Sequence, residues 1–155
     1  ENNNPDHQGI QRLVRDLNHL YQTHPALYEN GYAPETFHWI NADDTEHSIL
    51  SWIRKSKVSN EILLFVANFT PVVRENYRIG VPQMGYYREL FNTDNTYYGG
   101  SGVLNDAVLE TAPIPLNGRT HSLPLKLPPL GLTIIKFSQA YPWSNLALAG
   151  DRSRD

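Results

Sequence analysis

Apolar and polar positions divide the chain into a helical beginning and a long β-rich remainder. After Asp6, a candidate N-cap, Ile10, Leu13, Val14, Leu17, Leu20 and Tyr21 recur at spacings of three and four, the signature of one helix face. His24 precedes Pro25, which disfavours helical geometry at His24, so this helix is predicted to stop near Thr23. A second, short helix, PALYE, is expected to begin on Pro25 and to close at Gly31.

Short apolar runs separated by Gly, Pro, Asn and Asp then predict seven strands, at 37–41, 48–55, 61–70, 76–81, 86–92, 121–127 and 132–138. The run EILLFVANFTP, from Glu61 to Pro71, is apolar on both faces, because Ile62, Leu64 and Val66 alternate with Leu63, Phe65, Ala67 and Phe69. It reads as a central strand with a second sheet on one side and a helix as the candidate cover for the other. Pro71 has no N–H to give to a ladder, so pairing is expected to end there. The connection 55–60 suits a hairpin, whereas 92–118 is too long for one and is predicted to be an exposed excursion between sheets. The tail from Gln139 shows little periodicity and ends in DRSRD, so it is expected to be loosely held. The predicted fold class is all-β, an antiparallel Greek-key-like β-sandwich preceded by an amphipathic helix.

Composition narrows the partners. The 155 residues suffice for one well-buried domain. A net charge of −3, with both signs interspersed, leaves no basic stripe for a phosphate backbone, so nucleic acid is not an expected partner. No run approaches the ~20 apolar residues of a membrane span. The absence of cysteine excludes disulfides and thiolate metal sites and favours a reducing compartment, without excluding secretion. The first residues, ENNNPDHQG, are unlike a signal peptide, and a chain that opens without Met so close to a capped helix is expected to be a piece of a longer protein.

Candidate chemistry is sparse. Asp43, Asp44 and Glu46 offer carboxylates for a general acid and base, but they fall in a polar turn where solvated side chains are the commoner reading. The six histidines are scattered, and His19 and His24 are five apart, which does not align two ligands on a helix face, so no metal site is expected. Gly99-Gly100-Ser101-Gly102 lacks the Lys-Ser or Lys-Thr of a phosphate loop and reads as a flexible loop. No nucleophile-elbow pattern occurs. Asn68-Phe69-Thr70 matches the glycosylation tripeptide, yet it ends the most apolar strand and reads as structural. Phe37 and Trp39 share one strand face, and Trp39 is either a core residue or an exposed platform for a sugar ring. Trp52 is expected to be buried beside Leu50 and Ile53, and Trp143 lies in the tail.

Four segments in order, LVRDLNHLYQTHPALYE at 13–29, NFTPV at 68–72, YYRELFNTDNTYYGGSG at 86–102 and HSLPLKLPPLG at 121–131, resemble the C-terminal region of bacterial-type 1,4-α-glucan (glycogen) branching enzymes of the α-amylase superfamily. The resemblance implies that a (β/α)8 barrel cleaves α-1,4-glucan and transfers the released segment to a 6-hydroxyl through a glycosyl-enzyme intermediate, with an all-β domain following it. None of the barrel carboxylates maps onto this chain, so it is expected to be inactive alone and to need no cofactor. By the same resemblance, 1–31 is the end of the barrel domain, 32–138 the C-terminal sandwich and 139–155 a tail. Ile10, Leu13, Leu17 and Leu20 are then expected to pack on the missing barrel. Trp39, with His38, Asn41, Asp43 and Asp44 near it, is expected to hold α-glucan on the outer face of the sandwich. The barrel and α-glucan are the implied partners, and the cytoplasm the implied location. The alternatives are a free-standing carbohydrate-binding module and a purely structural interaction domain.

Overall fold

In the computed structural model, which describes residues 4–29 and 35–141, two helices precede eight strands. Helix α1 spans Pro5–Thr23 and α2 spans Pro25–Tyr28. The cap of α1 is Asn4 rather than Asp6, its side chain accepting the Asp6 N–H at 3.0 Å. Pro5 can therefore occupy the first helical position, where a missing N–H is harmless, and Asp6 sits in the first turn facing the positive end of the helix dipole. The helix ends on an extended His24 before Pro25, as the sequence predicts. Gly31 and Trp143, and the tail beyond Tyr141, lie outside the described residues.

The strands are β1 (Phe37–Asp44), β2 (Ile49–Lys55), β3 (Ile62–Asn68), β4 (Arg74–Val81), β5 (Tyr86–Asn92), β6 (Leu109–Glu110), β7 (His121–Leu127) and β8 (Gly131–Gln139). Six form one antiparallel sheet in the order β1-β2-β3-β8-β5-β6, and β4 and β7 pair as a second layer. The chain passes between layers after β3, β4, β6 and β7. The apolar strand β3 lies inside the large sheet, as its two-sided pattern requires. Between the sheets, Ile53, Leu64, Val66 and Ile135 meet Ile79, Leu123, Leu125 and Leu127 of the small one. On the other face, Leu63, Phe65, Phe91 and Ile134 are covered by Leu13 and Leu20 of α1 and by Ala26 and Leu27 of α2.

The stretch 92–118 is not the exposed excursion its length suggests. Asp94, Leu109 and Thr111 within it are buried, and β6 extends the sheet through Tyr86↔Glu110 and Tyr87↔Leu109. The segment covers the edge of β5, which would otherwise present unpaired backbone groups to water. The tripeptide at Asn68 is structural. Its side chain is buried, and Nδ2 donates to the carbonyls of Val72 and Pro128, each at 2.9 Å.

Register gathers the loops into two groups. β3 ends on Asn68, which pairs with Gly131 at the start of β8, and the last residue of β5, Asn92, pairs with Thr133. The loops 69–73, 93–103 and 128–130 therefore share one end of the sandwich. The first turns of α1 come to the same end, since Gly9 abuts Tyr98 and Gly99. At the opposite end the Glu29 carboxylate accepts the Ser56 hydroxyl and the Lys57 N–H, each at 2.7 Å.

Candidate functional site

Helix α1 is fastened to the loop after β5. The Tyr98 hydroxyl donates to Asp16 Oδ2 at 2.7 Å, Arg15 Nη2 donates to the Tyr97 hydroxyl at 2.8 Å, and the Arg12 guanidinium stacks 4.7 Å from the centre of the Tyr97 ring. Burial, reinforced by the Asp16 carboxylate, pushes the Tyr98 phenol well above its ordinary value, so it stays a donor. Gly9 makes the approach possible, because it has no side chain to strike the Tyr98 carbonyl.

This clamp divides the apolar face of α1. With each residue turned about 100° from the last, Leu13 and Leu20 line up with Gly9, about 90° around the helix from the stripe of Ile10, Val14, Leu17 and Tyr21. Leu13 and Leu20 pack into the core beneath the helix. All four residues of the stripe are exposed. The four leucine and isoleucine positions expected to share one partner thus differ, Leu13 and Leu20 packing into the core beneath the helix while Ile10 and Leu17 stay exposed.

The C-terminal half of the stripe, Leu17 and Tyr21, forms one wall of an apolar groove of about 570 Å³ whose floor is the large sheet, while Ile10 and Val14 lie on a separate stretch of the helix surface among Gln11, Arg15 and Asn18. Leu17, Tyr21 and Leu27 face Phe37, Trp39, Leu50 and Trp52 across it. Register builds the floor. Trp39 pairs with Trp52, Trp52 with Phe65 and Phe65 with Ile134, so one row of large side chains crosses four strands. Trp52 stacks on Phe65 at 5.2 Å with the planes 8° apart, and Trp39 meets Trp52 edge-on at 6.1 Å. Trp52 is half-buried rather than core, and Trp39, at the sheet edge, is 52% exposed.

The polar residues near Trp39 in sequence do not gather around its ring. His38 pairs with the core residue Ile53, and strand alternation turns it to the opposite face, toward the second sheet. Asn41 Oδ1 accepts the Asp43 N–H at 2.9 Å, within a stretch of β1 whose pairing register slips on both sides of Asn41. Asp43 is exposed. Asp44, expected to be a solvated turn carboxylate, instead ties the turn to β4. It accepts the Tyr77 hydroxyl at 2.5 Å and the His47 N–H at 3.2 Å, with His47 Nδ1 at 2.9 Å. Burial acts to raise the Asp44 pKa, but these hydrogen bonds outweigh it and hold the group below its ordinary value. Trp39 itself lies on the outer face of the large sheet, the face that also carries α1.

Sequence reading missed the clamp, since Tyr97 and Tyr98 sit in a glycine-rich segment that reads as flexible. The segment is fixed from within by Asp94, whose carboxylate accepts the Ser101 N–H at 2.9 Å, the Ser101 hydroxyl at 2.7 Å and the Val103 N–H at 2.8 Å. A lone Gly in the first turns of an amphipathic helix was the one available signal of a close backbone approach. Among the described residues, no group of three or more His, Asp or Glu is placed to hold a metal ion, and no helix is long and apolar enough to cross a membrane.

Comparison with known proteins gives one family and one set of relatives. The family described as alpha amylase, C-terminal all-beta domain, matches residues 39–138. The chain is 50% identical over 132 residues to the 1,4-alpha-glucan branching enzyme GlgB of Aquifex aeolicus, an alignment covering 85% of this chain and 21% of the relative. It is 44% identical over 129 residues to GlgB of Paramagnetospirillum magneticum, covering 83% and 17%, and 47% identical over 132 residues to GlgB of Cellvibrio japonicus, covering 85% and 18%. The chain thus spans about a fifth of the length of the curated relatives it matches.

Proposed function

The chain belongs to the alpha amylase C-terminal all-beta domain family, and from that premise we propose that it is the non-catalytic C-terminal part of a 1,4-α-glucan branching enzyme. In this reading its work is to seat the catalytic barrel, which carries the carboxylates that cut and rejoin glucan. The observation that carries it is the apolar groove between Leu17 and Tyr21 of α1 and the row that ends on Trp39, which the described residues leave open and which is large for a domain acting alone. Helix α1 is shared in this arrangement. Leu13 and Leu20 serve the sandwich while Ile10, Val14, Leu17 and Tyr21 face the barrel, so residues 1–31 bridge the two domains.

A second reading has Trp39 stacking on α-glucan, favoured by its half-exposed ring. Its surroundings weigh against it. Asp44 is bonded to Tyr77 and His38 faces away, so two of the four polar neighbours that would bond sugar hydroxyls are engaged or turned elsewhere.

Acrylamide quenching of Trp39, isolated by comparison with Trp39→Phe, tests both. Trp39 is expected to be accessible in the 155-residue chain and shielded in the full-length protein, with maltooligosaccharide giving no shielding of the short chain. Shielding by maltooligosaccharide alone would favour the glucan reading. The short chain is also expected to leave the reducing ends and iodine colour of amylose unchanged, and reproducible conversion above a heat-killed control would refute the non-catalytic assignment.

A further inference from the structure

The end of the sandwich at which α1 begins carries a second apolar feature. Phe69 and Leu130 are 61% and 68% exposed, and they flank the paired residues Asn68 and Gly131. The Leu130 N–H donates to the Thr70 carbonyl at 2.8 Å, so the two turns are bonded to each other. Val72, also exposed, stands beside them.

Leu130 holds a φ of 45°, in the left-handed region that favours glycine. Leu130 keeps that conformation with most of its side chain exposed among the described residues, where glycine would sit at less strain. Strain retained without local benefit points to a contact outside the described residues. Phe69 follows directly on β3, in the odd-numbered series of Leu63 and Phe65 that forms its helix-covered face.

We propose that Phe69 and Leu130 form a second anchor for the polypeptide that precedes this domain in the longer protein, gripping it where α1 begins. This inference rests on the reading of the chain as part of a branching enzyme. Three observations select that occupant. Four-fifths of the relatives' length lies outside this chain. The patch shares its end of the sandwich with the first turns of α1, through the Gly9 contact with Tyr98 and the bond from the Leu132 N–H to the Thr93 hydroxyl. Both turns are also tied directly to the strands β3 and β8 whose residues Leu63, Phe65 and Ile134 lie under α1 and α2.

Hydrogen exchange on the 155-residue chain and on the full-length protein, each with and without the Phe69→Ser, Leu130→Gly pair, tests this. Peptides at 68–73 and 128–132 are expected to exchange roughly tenfold more slowly in the full-length protein. The double variant should erase most of that protection while its 155-residue form melts no lower than the unsubstituted chain. Unchanged exchange at both turns, with 10–22 protected, would overturn this inference and leave the docking of α1 standing. No protection at any of the three would overturn both readings. A double variant whose short form melts much lower would return both residues to a structural role within the sandwich and overturn the anchor.

Discussion

Gly9 of α1 lies so close to Tyr98 that a β-carbon there would stand 2.4 Å from the Tyr98 carbonyl oxygen. The contact joins a helix near one end of the sequence to a loop some ninety residues on. Flanking it are the bonds from Tyr98 to Asp16 and from Arg15 to Tyr97. Gly9→Ala improves intrinsic helix propensity by about 1 kcal/mol. The backbone collision is nevertheless expected to dominate, giving a net loss of roughly 1–3 kcal/mol in chemical denaturation. Amides of α1 should exchange faster in this variant, and a gain in stability would show that the helix does not lie on the loop.

Asp94 supplies the internal support for that loop. Asp94→Ala leaves the Ser101 and Val103 N–H groups without their acceptor and is expected to cost roughly 1.5–3 kcal/mol. The Tyr97 and Tyr98 clamp should loosen with it, and the double variant with Gly9→Ala should be less destabilised than the sum of the two. Full additivity would mean that loop and helix are held independently.

Acid should weaken the fold through two carboxylates. Asp44 and Asp94 both sit below their ordinary pKa, because the hydrogen bonds to each outweigh the effect of burial. Their contribution is therefore present above the unfolded value, near 3.8, and is lost as the pH falls through the lower folded values. Melting temperature should drop below about pH 4, and Asp44→Asn should flatten part of that fall. An identical acid profile in Asp44→Asn would remove Asp44 from this role.

Neighbours in one row should answer differently to truncation. Phe65→Ala, at a buried position stacked on Trp52, is expected to cost about 3–5 kcal/mol. Trp39→Ala, two strands away at the exposed edge, should cost the short chain less than about 1 kcal/mol. In the full-length protein the same change should matter more, because the groove is expected to be filled there. Equal losses at both positions in the short chain would place Trp39 in the core.

The sequence by itself determined the local structure and the fold class. Spacing of three and four, with His24-Pro25 as a stop, defined α1, and the two-sided apolar pattern of β3 defined an interior strand, since these signals are periodicities carried by neighbouring residues. The ordered segments around NFTPV and YYGGSG pointed to the family that matches residues 39–138. Tertiary structure decided what periodicity cannot express. Which half of the apolar face of α1 is covered depends on where a loop some ninety residues on comes to rest, and Gly9 and Tyr98 fixed that. Whether Asp44 meets water or Tyr77 depends on the second sheet crossing beside β1, and whether Trp39 is core or edge depends on its strand being the last in the sheet. Each is a contact between residues far apart in the chain, set by packing and register rather than by the residues beside them.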